Sequence, residues 1–319
     1  MDRTTKPVRH RSGKAKKGFC SLVADRIGHF ERLGKKKTAD NYECVLRHFR
    51  QFRKEEEIAV EDLSVGEMKD FQAYLIGQGL KMNTISLYNR ELRAVYHYAL
   101  DEEIIQTDRR PFRKSFTGRE KTRKRAVDSG VVKHLAALSL AGHGMLRFAR
   151  DLFLFSIYMQ GMPFVDIAHL RKDQVRNGWI VYQRRKTNRQ LRVKIHPQAQ
   201  AIIDKYRAAD PNCPYLFLIL YDPKKRMERN YPSALRVYNK RLCRLSDLLG
   251  LDEPLTSYVA RHTWASLARQ CGTSDTIISE AMGHSHVGVT TIYLASLDTG
   301  KVAQANRRVI TSLVGRCVT

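Results

Sequence analysis

The stretch that decides the fold reads Tyr258-Val259-Ala260-Arg261-His262-Thr263-Trp264, followed by Gly283-His284-Ser285-His286 and by Thr290-Thr291-Ile292-Tyr293. A phenol can attack a phosphodiester and keep the bond energy as a phosphotyrosine ester. The attack needs cationic, preorganised hydrogen-bond donors, because negative charge builds up on the phosphate in the transition state. Arg, His and Tyr in this order therefore predict a site that acts on a phosphodiester, with Tyr293 as the nucleophile.

Arg261 and His284 are the side chains expected to contact that phosphate. Arg261 can hold two nonbridging oxygens through its planar guanidinium, and a place at the start of a helix also favours phosphate. A histidine side chain can change its protonation state near neutral pH, so His284 can hydrogen-bond the phosphate or accept the phenolic proton. His262 and His286 are local alternatives for this role.

The charge of the chain is strongly positive. Its 319 residues include 57 Lys and Arg against 32 Asp and Glu, which gives a net charge of +25. Such an excess is typical of a protein that binds a polyanion. Composition alone favours an RNA- or ribosome-associated protein nearly as much as a DNA-binding one, and the length predicts about two domains.

The six cysteines are scattered, without a C-x-x-C pair or a metal-type Cys/His spacing. They predict reduced thiols and no metal site. The sequence shows no signal peptide and no apolar run long enough to span a membrane. We therefore expect a cytoplasmic, nucleoid-associated protein.

Basic runs divide the chain. Residues 1–18 form a basic tail, which is either a disordered, solvated segment or an arm that contacts DNA. Residues 19–106 predict a bundle of four or five helices. Residues 107–125 lack a helical or strand period and predict a linker whose charges, Arg123 and Lys124 among them, contact DNA. Residues 126–319 then form a second domain with a C-terminal tail.

One predicted helix of the bundle carries candidate DNA contacts. Asn83 predicts its N-cap, and apolar residues from Ile85 to Ala99 recur at helical spacing on its buried face. Arg90 and Arg93 lie on the opposite face, where they can contact DNA phosphates.

The second domain is predicted to be mainly helical with one β-hairpin, so the fold class is mainly α with a small β element (α+β). Two strands, 179–182 and 191–195, follow from β-rich composition and from alternation, and the tip between them is cationic. The remaining pattern predicts helices over the ranges 199–208, 233–249, 261–270 and 276–282.

These motifs resemble those of the tyrosine recombinases, the phage-integrase family, in which H-x-x-R, G-H and a Tyr nucleophile occur in this order. The sequence Gly161-Met162-Pro163-Phe164-Val165-Asp166 resembles the subgroup of conjugative-transposon integrases and phase-variation invertases. The resemblance implies a SAM-like DNA-binding bundle, a catalytic domain and a 3′-phosphotyrosyl intermediate. It also implies double-stranded DNA as substrate, a homotetramer on two DNA sites and no metal or nucleotide cofactor, with an accessory DNA-bending protein as a further expected partner.

The resemblance assigns two more catalytic positions. Lys186 matches the hairpin lysine that protonates the 5′-oxygen leaving group, although Arg184 and Arg185 are possible alternatives at that tip. Tyr258 stands where the family usually has the His of H-x-x-R. A phenol can still hydrogen-bond a phosphate, but it is a poor general base at neutral pH.

Pro163 is the most serious departure from the family pattern. It stands where the family's first catalytic arginine follows a T-G-[LM] turn, and proline offers neither charge nor N–H. We expect an active enzyme to have recruited another cation, with Arg150 as first candidate and Arg147 as second.

Two other readings remain open. A type IB topoisomerase shares the catalytic logic but relaxes one duplex as a monomer. A DNA-binding relative that has lost catalysis is the other alternative, and Pro163 favours it.

Overall fold

A computed structural model describes residues 17–120 and 125–283 of the chain. It divides into two compact units, the first ending at Thr122 and the second beginning at Arg123. Each unit has its own apolar core.

The first unit is a helical bundle, as its periodicity predicts. Phe49 lies at the centre of its core, where its ring packs edge-on against Phe19 and Phe71 at centroid distances of 5.5 and 5.0 Å. The α-helices of its described residues are α1 (Phe19–Arg32), α2 (Lys36–Phe52), α3 (Val65–Gly77) and α4 (Met82–Asp101).

An irregular segment, residues 109–120, is fixed along α4 by side chains spaced three residues apart. Asn83 pairs with the backbone of Glu120 through both its amide oxygen and its amide nitrogen. Ser86 donates to the Gly118 carbonyl at 2.6 Å, and Asn89 donates to the Phe116 carbonyl at 3.0 Å. This part of the predicted linker therefore belongs to the first unit.

The prediction that Asn83 caps α4 is wrong. The helix begins at Met82, with Lys81 in the N-cap position. Asn83 lies inside the first turn, and both polar atoms of its side chain are used on Glu120, so a residue typical of caps serves a tertiary contact instead.

The second unit is larger and mainly helical. Its helices are α5 (Ser129–Ala137), α6 (Gly144–Tyr158), α7 (Phe164–Ala168), α8 (Pro197–Tyr206), α9 (Tyr231–Leu248), α10 (Val259–Gln270) and α11 (Asp275–Ala281). Its strands are β1 (Val175–Arg176), β2 (Trp179–Gln183), β3 (Gln190–Lys194), β4 (Tyr221–Asp222) and β5 (Met227–Glu228). The predicted fold class is confirmed.

The predicted hairpin is the antiparallel pair β2–β3, in which Ile180 faces Val193 and Tyr182 faces Leu191. These four side chains are buried while their neighbours along the strands are more exposed, which is the alternation that the sequence shows. Strand β1 adds to the outer edge of β2. The short hairpin β4–β5 was not predicted.

Helix α6 is the central element of this unit and contacts α8, α9 and α10. Its residues from Leu152 to Ile157 are all buried, so it lacks a polar face over this stretch. It ends at the turn that leads to Gly161 and Pro163, and this end of the helix positions the candidate site.

Candidate active site

Arg261 lies in the first turn of α10 and is 1% exposed. A buried guanidinium is costly unless it is hydrogen-bonded. Here Nη1 donates to the Gly161 carbonyl at 2.8 Å and Nη2 donates to the Met282 carbonyl at 2.6 Å. The residue predicted to hold the phosphate is thus fixed between the turn after α6 and the end of α11.

Gly161 allows the turn after α6 to lie close to the backbone and side chain of Arg261. Its φ of +69° is a left-handed conformation that favours glycine. A Cβ at this position would lie 3.2 Å from the Arg261 Cα and 3.3 Å from its Cγ. The turn is held by Ser156, whose hydroxyl donates to the Met162 carbonyl at 2.7 Å. The Gly-Met-Pro sequence therefore serves the position of Arg261, although it supplies no arginine of its own.

Pro163 occupies the N-cap position of α7 and is buried. The first catalytic arginine predicted by the family pattern is therefore absent here, and no cation replaces it from this turn.

Arg184 supplies a second buried guanidinium to the same place. It follows β2, is 5% exposed, and donates from Nη1 to the Gly283 carbonyl at 2.7 Å. Its Nε has no hydrogen-bond partner among the described residues. Arg261 and Arg184 are thus bonded to consecutive carbonyls, Met282 and Gly283, directly before His284.

Gly283 has a φ of +63°, and a Cβ there would lie 3.0 Å from a methyl group of Leu191 and 3.3 Å from the Arg184 Cδ. A glycine at this position lets the chain after α11 lie close to the tip end of the β2–β3 hairpin. The sequence motif Gly-His thus has a structural reason for its glycine.

Asp166 is the buried acid of this cluster. It lies in α7, is 3% exposed, and its Oδ1 accepts from the Arg185 backbone N–H at 3.0 Å. Its Oδ2 has no partner among the described residues. Burial raises the pKa of Asp166, and the charges of Arg184, Arg261 and Arg185 offset part of that rise. Burial also raises the pKa of Tyr182. The charge of Asp166 raises this pKa further, and the charges of Arg261 and Arg184 lower it in part.

Lys186 is exposed at the tip of the β2–β3 hairpin, where the sequence predicts it. The tip is closed by bonds from the Arg184 N–H to the Arg189 carbonyl and from the Asn188 N–H to the Arg184 carbonyl, each 2.8 Å. Asn188 takes a left-handed φ of +56°, which Asn tolerates better than most residues. The backbone of the tip is therefore defined while the Lys186 ammonium stays accessible.

Tyr258 directly precedes α10 and is 40% exposed. Its ring meets the His262 ring edge-on at a centroid distance of 5.3 Å. Its backbone carbonyl accepts from the His262 N–H, so it stands one helical turn before that residue. The phenol and the Arg261 guanidinium are thus brought to the same end of α10.

The first candidate for the substitute cation has other partners. Arg150 donates from Nε to Asp151 at 2.8 Å and from Nη1 to the Leu138 carbonyl at 2.7 Å. Asp151 also accepts from Lys205 at 2.8 Å and from Tyr206 at 2.7 Å, and these bonds lower its pKa against the effect of burial. Arg150 is therefore part of a polar group that ties α6 to α8. Arg147, the second candidate, is exposed on α6.

The remaining predicted residues are only partly described. Arg90 is exposed on α4, and Arg93 is half-buried. His284, Tyr293, Arg123 and Lys124 lie outside the described residues. The sequence motifs indicate Arg184 only as an alternative to Lys186, and they do not indicate Asp166. The sequence signal for Arg184 is its place two residues after Tyr182, at the end of a strand. The signal for Asp166 is its place three residues after Pro163.

Within the described ranges, no three His, Cys, Asp or Glu side chains come together as ligands for a metal ion. The helices of the described residues include none that is long and apolar enough to cross a membrane.

Comparison with known proteins identifies the class. Residues 18–116 match the phage integrase SAM-like domain, and residues 135–299 match the phage integrase family. The chain belongs to the phage integrase family, and it is a tyrosine-type site-specific recombinase.

Several relatives match this chain over most of its length. A tyrosine recombinase of Pseudothermotoga lettingae is 20% identical over 89% of this chain and 96% of its own. The Tn1549 transposon integrase, solved in complex with transposon right end DNA, has a TM-score of 0.71 at 15% identity and covers 94% of this chain and 100% of its own. A lambda integrase dimer bound to a COC′ core site has a TM-score of 0.66 at 15% identity over 89% of this chain and 100% of its own. None of these matches supports the alternative of a type IB topoisomerase.

Proposed function

We propose that this recombinase cuts DNA by attack of the Tyr293 hydroxyl on a phosphodiester held by Arg261 and Arg184. The phenolic oxygen forms a bond to phosphorus as the bond from phosphorus to the 5′-oxygen breaks. The products are a 3′-phosphotyrosyl link and a 5′-hydroxyl, and the 5′-hydroxyl of a partner strand then reverses the step. The phosphotyrosyl ester keeps the energy of the phosphodiester bond that is cut. The strand can therefore be rejoined without energy from nucleotide hydrolysis.

The observation that carries the proposal is the pair of guanidiniums on consecutive carbonyls. Arg261 binds the Met282 carbonyl and Arg184 binds the Gly283 carbonyl, and the next residue is His284. Both side chains are almost fully buried and therefore preorganised. Preorganised cations act most strongly where charge develops in the transition state.

Arg184 replaces the arginine that Pro163 lacks. A guanidinium carries five N–H donors, and Arg184 uses Nη1 on Gly283 while its Nε is unpartnered among the described residues. Asp166 supports this role, since the charges of Arg184 and Arg261 offset part of the rise that burial causes in its pKa, so the carboxyl interacts with both cations.

The other predicted residues act around this pair. Lys186, exposed on the hairpin tip, gives a proton to the departing 5′-oxygen. His284 accepts the phenolic proton or hydrogen-bonds the phosphate, and Tyr258 hydrogen-bonds a phosphate oxygen from the start of α10. Arg147 contacts the DNA backbone, as do Arg90 and Arg93 of the first unit and Arg123 and Lys124 beyond it.

The partner is double-stranded DNA. We propose a homotetramer on two DNA sites, acting in the cytoplasm at the nucleoid, with an accessory DNA-bending protein as a further partner. The net charge of +25 supports binding to a polyanion. Relatives solved on DNA support it as well, among them a lambda integrase tetramer bound to a Holliday junction.

One experiment tests the chemistry against both alternatives. The full chain is incubated with a nicked suicide duplex, and covalent protein–DNA adducts are counted after denaturing electrophoresis. Adducts that disappear in Tyr293→Phe are expected. Absence of adducts in the wild-type protein would favour the catalytically impaired relative, and relaxation of a supercoiled plasmid without exchange between two sites would favour the topoisomerase.

A further inference from the structure

The second unit carries an apolar groove that the catalytic proposal does not use. It is about 410 Å³ in volume and lies between α6, α7, the β4–β5 hairpin and α9. Phe148 and Phe164 line its floor, and Met145, Met227 and Val237 line its edges. A second depression of about 400 Å³ continues it past the start of α6 and shares Met145, Val237 and Arg241.

The edges of the groove are unusually exposed for apolar side chains. Met145 is 56% exposed, Met227 is 54% exposed and Val237 is 46% exposed. An exposed apolar cluster with a polar rim is typical of a protein-binding surface. Methionines in particular adapt to the shape of an apolar partner.

The rim of the groove is cationic. Lys225, Arg229, Arg241 and, in the second depression, Lys240 and Arg244 surround it. Its two acids are already engaged, because Asp222 pairs with Arg229 at 3.0 Å and Glu228 accepts from the Tyr215 hydroxyl at 2.8 Å.

Arg241 is the side chain that points to a ligand. It is half-buried on α9 between the two depressions, and no carboxylate among the described residues forms an ion pair with it. Burial lowers the pKa of Arg241, and the neighbouring Arg229 charge lowers it further. A partly desolvated, unneutralised cation gains most from an incoming carboxylate.

We propose that this groove binds an amphipathic helix of a partner protein, with apolar side chains on one face and carboxylates along one edge. The walls are themselves helices, and a groove of this kind accepts a helix whose apolar residues recur every three or four positions. The apolar face packs on Phe148, Phe164 and Val237, and one carboxylate pairs with Arg241.

The composition of the chain distinguishes this partner from the chain's own C-terminal segment. Residues 301–319 contain Lys301, Arg307, Arg308 and Arg316 and no Asp or Glu. A segment of that charge is repelled by the rim. DNA is also a poor occupant, because phosphates need polar contacts and gain nothing from an apolar floor.

Fluorescence anisotropy with the full chain and synthetic helices tests the proposal. The probe helix has Leu at every third or fourth position and Glu along one flank. One control helix has Lys in place of Glu, and a second has the composition of the probe with its Leu residues dispersed. The second control measures how much binding comes only from the general attraction between an acidic peptide and a basic protein.

The expected result is saturable binding of the probe alone. Arg241→Ala should weaken it by about tenfold or more, since it removes a charged hydrogen-bond donor. Val237→Asp should weaken it similarly. Arg236→Ala is the matched control, because Arg236 is exposed on the same helix and does not line the groove. Unchanged melting temperatures and adduct yields in these variants establish that they fold.

Four results would overturn the proposal. Equal binding of the probe and the dispersed control means that the groove recognises no helix. Displacement by duplex DNA, with an equal loss of duplex affinity in Arg241→Ala, makes the groove a DNA surface. Displacement by a synthetic 301–319 peptide assigns it to the chain's own segment. Self-association in sedimentation that Arg241→Ala abolishes assigns it to a second copy.

Discussion

Arg184→Ala is the substitution that most directly tests how the site works without an arginine at position 163. It removes a guanidinium that is 5% exposed and bonded to the Gly283 carbonyl at 2.7 Å. Loss of one preorganised donor to a developing oxyanion typically costs about 3–4 kcal/mol of transition-state stabilisation. At 1.4 kcal/mol for each tenfold change, strand cleavage should slow by roughly 10²–10³-fold.

Arg150→Ala is the matched comparison, because Arg150 is the first candidate for the substitute cation that the sequence predicts. Its guanidinium binds Asp151 and the Leu138 carbonyl. The substitution should lower the free energy of unfolding by about 1–3 kcal/mol, since Asp151 keeps Lys205 and Tyr206 as partners. We expect cleavage by the folded Arg150→Ala protein at close to the wild-type rate.

The assay is single-turnover adduct formation on a suicide duplex at saturating protein, with duplex affinity and urea unfolding measured in parallel. Arg184→Lys is informative beside Arg184→Ala, because it keeps the charge but loses the planar fork, and it should give an intermediate rate. Wild-type cleavage by Arg184→Ala would refute the reasoning. A large loss of cleavage in stable Arg150→Ala would return the role to Arg150.

The remaining predictions concern the nucleophile, the leaving group, the buried acid and the turn. Tyr293→Phe should abolish adducts while duplex affinity stays within about twofold, and adducts in this variant would show that another residue is the nucleophile. Lys186→Ala should slow cleavage, and a 5′-bridging sulfur, a better leaving group, should restore most of the rate; no rescue would mean that Lys186 only binds DNA. Burial raises the pKa of Asp166, so the folded state binds a proton more readily than the unfolded chain and the ionised carboxylate costs stability at neutral pH. Asp166→Asn should therefore melt at or above the wild-type temperature at neutral pH, with the difference shrinking as the pH falls towards the unfolded pKa of about 3.9; a lower melting temperature at neutral pH would contradict this. Gly161→Ala should lose about 1–2 kcal/mol of unfolding free energy from its φ of +69° alone, and also cleavage, because its Cβ would press on Arg261; a variant that is as stable and active as wild type would contradict this.

The sequence predicted the elements of the fold well because their signals are local. Alternation along β2 and β3 and the apolar stripe of α4 reflect which face of each element is buried, and that face is visible in the chain itself. The position of Lys186 on a hairpin tip followed from the same alternation. The hairpin β4–β5 was not predicted, because strands of two residues give no periodic pattern in the sequence.

Contacts between distant segments could not be predicted from the sequence. Asn83 has the residue type of an N-cap, yet its partner is Glu120, which no local rule identifies. Arg150 was favoured because it lies one helix before Pro163, whereas its guanidinium faces Asp151. Arg184 joins the site through Gly283, a residue 99 positions away. Proximity in the sequence does not reveal such contacts between distant residues.

The Met282 and Gly283 carbonyls bind the two buried guanidiniums proposed to hold the phosphate, and the proposed site residues His284 and Tyr293 follow them in the sequence. Arg261 and Arg184 each donate one of these hydrogen bonds from a terminal nitrogen of the guanidinium. A displacement of Met282 and Gly283 together would therefore break a bond to each guanidinium and leave both of these buried donors without their acceptors, which is costly in a buried site. The same bonds orient both guanidiniums at the two residues that precede His284. In the mechanism proposed above, the β2–β3 hairpin supplies through Arg184 the cation that Pro163 lacks and also carries Lys186, so one β-hairpin would contribute both a charge for the phosphate and the acid for the leaving group.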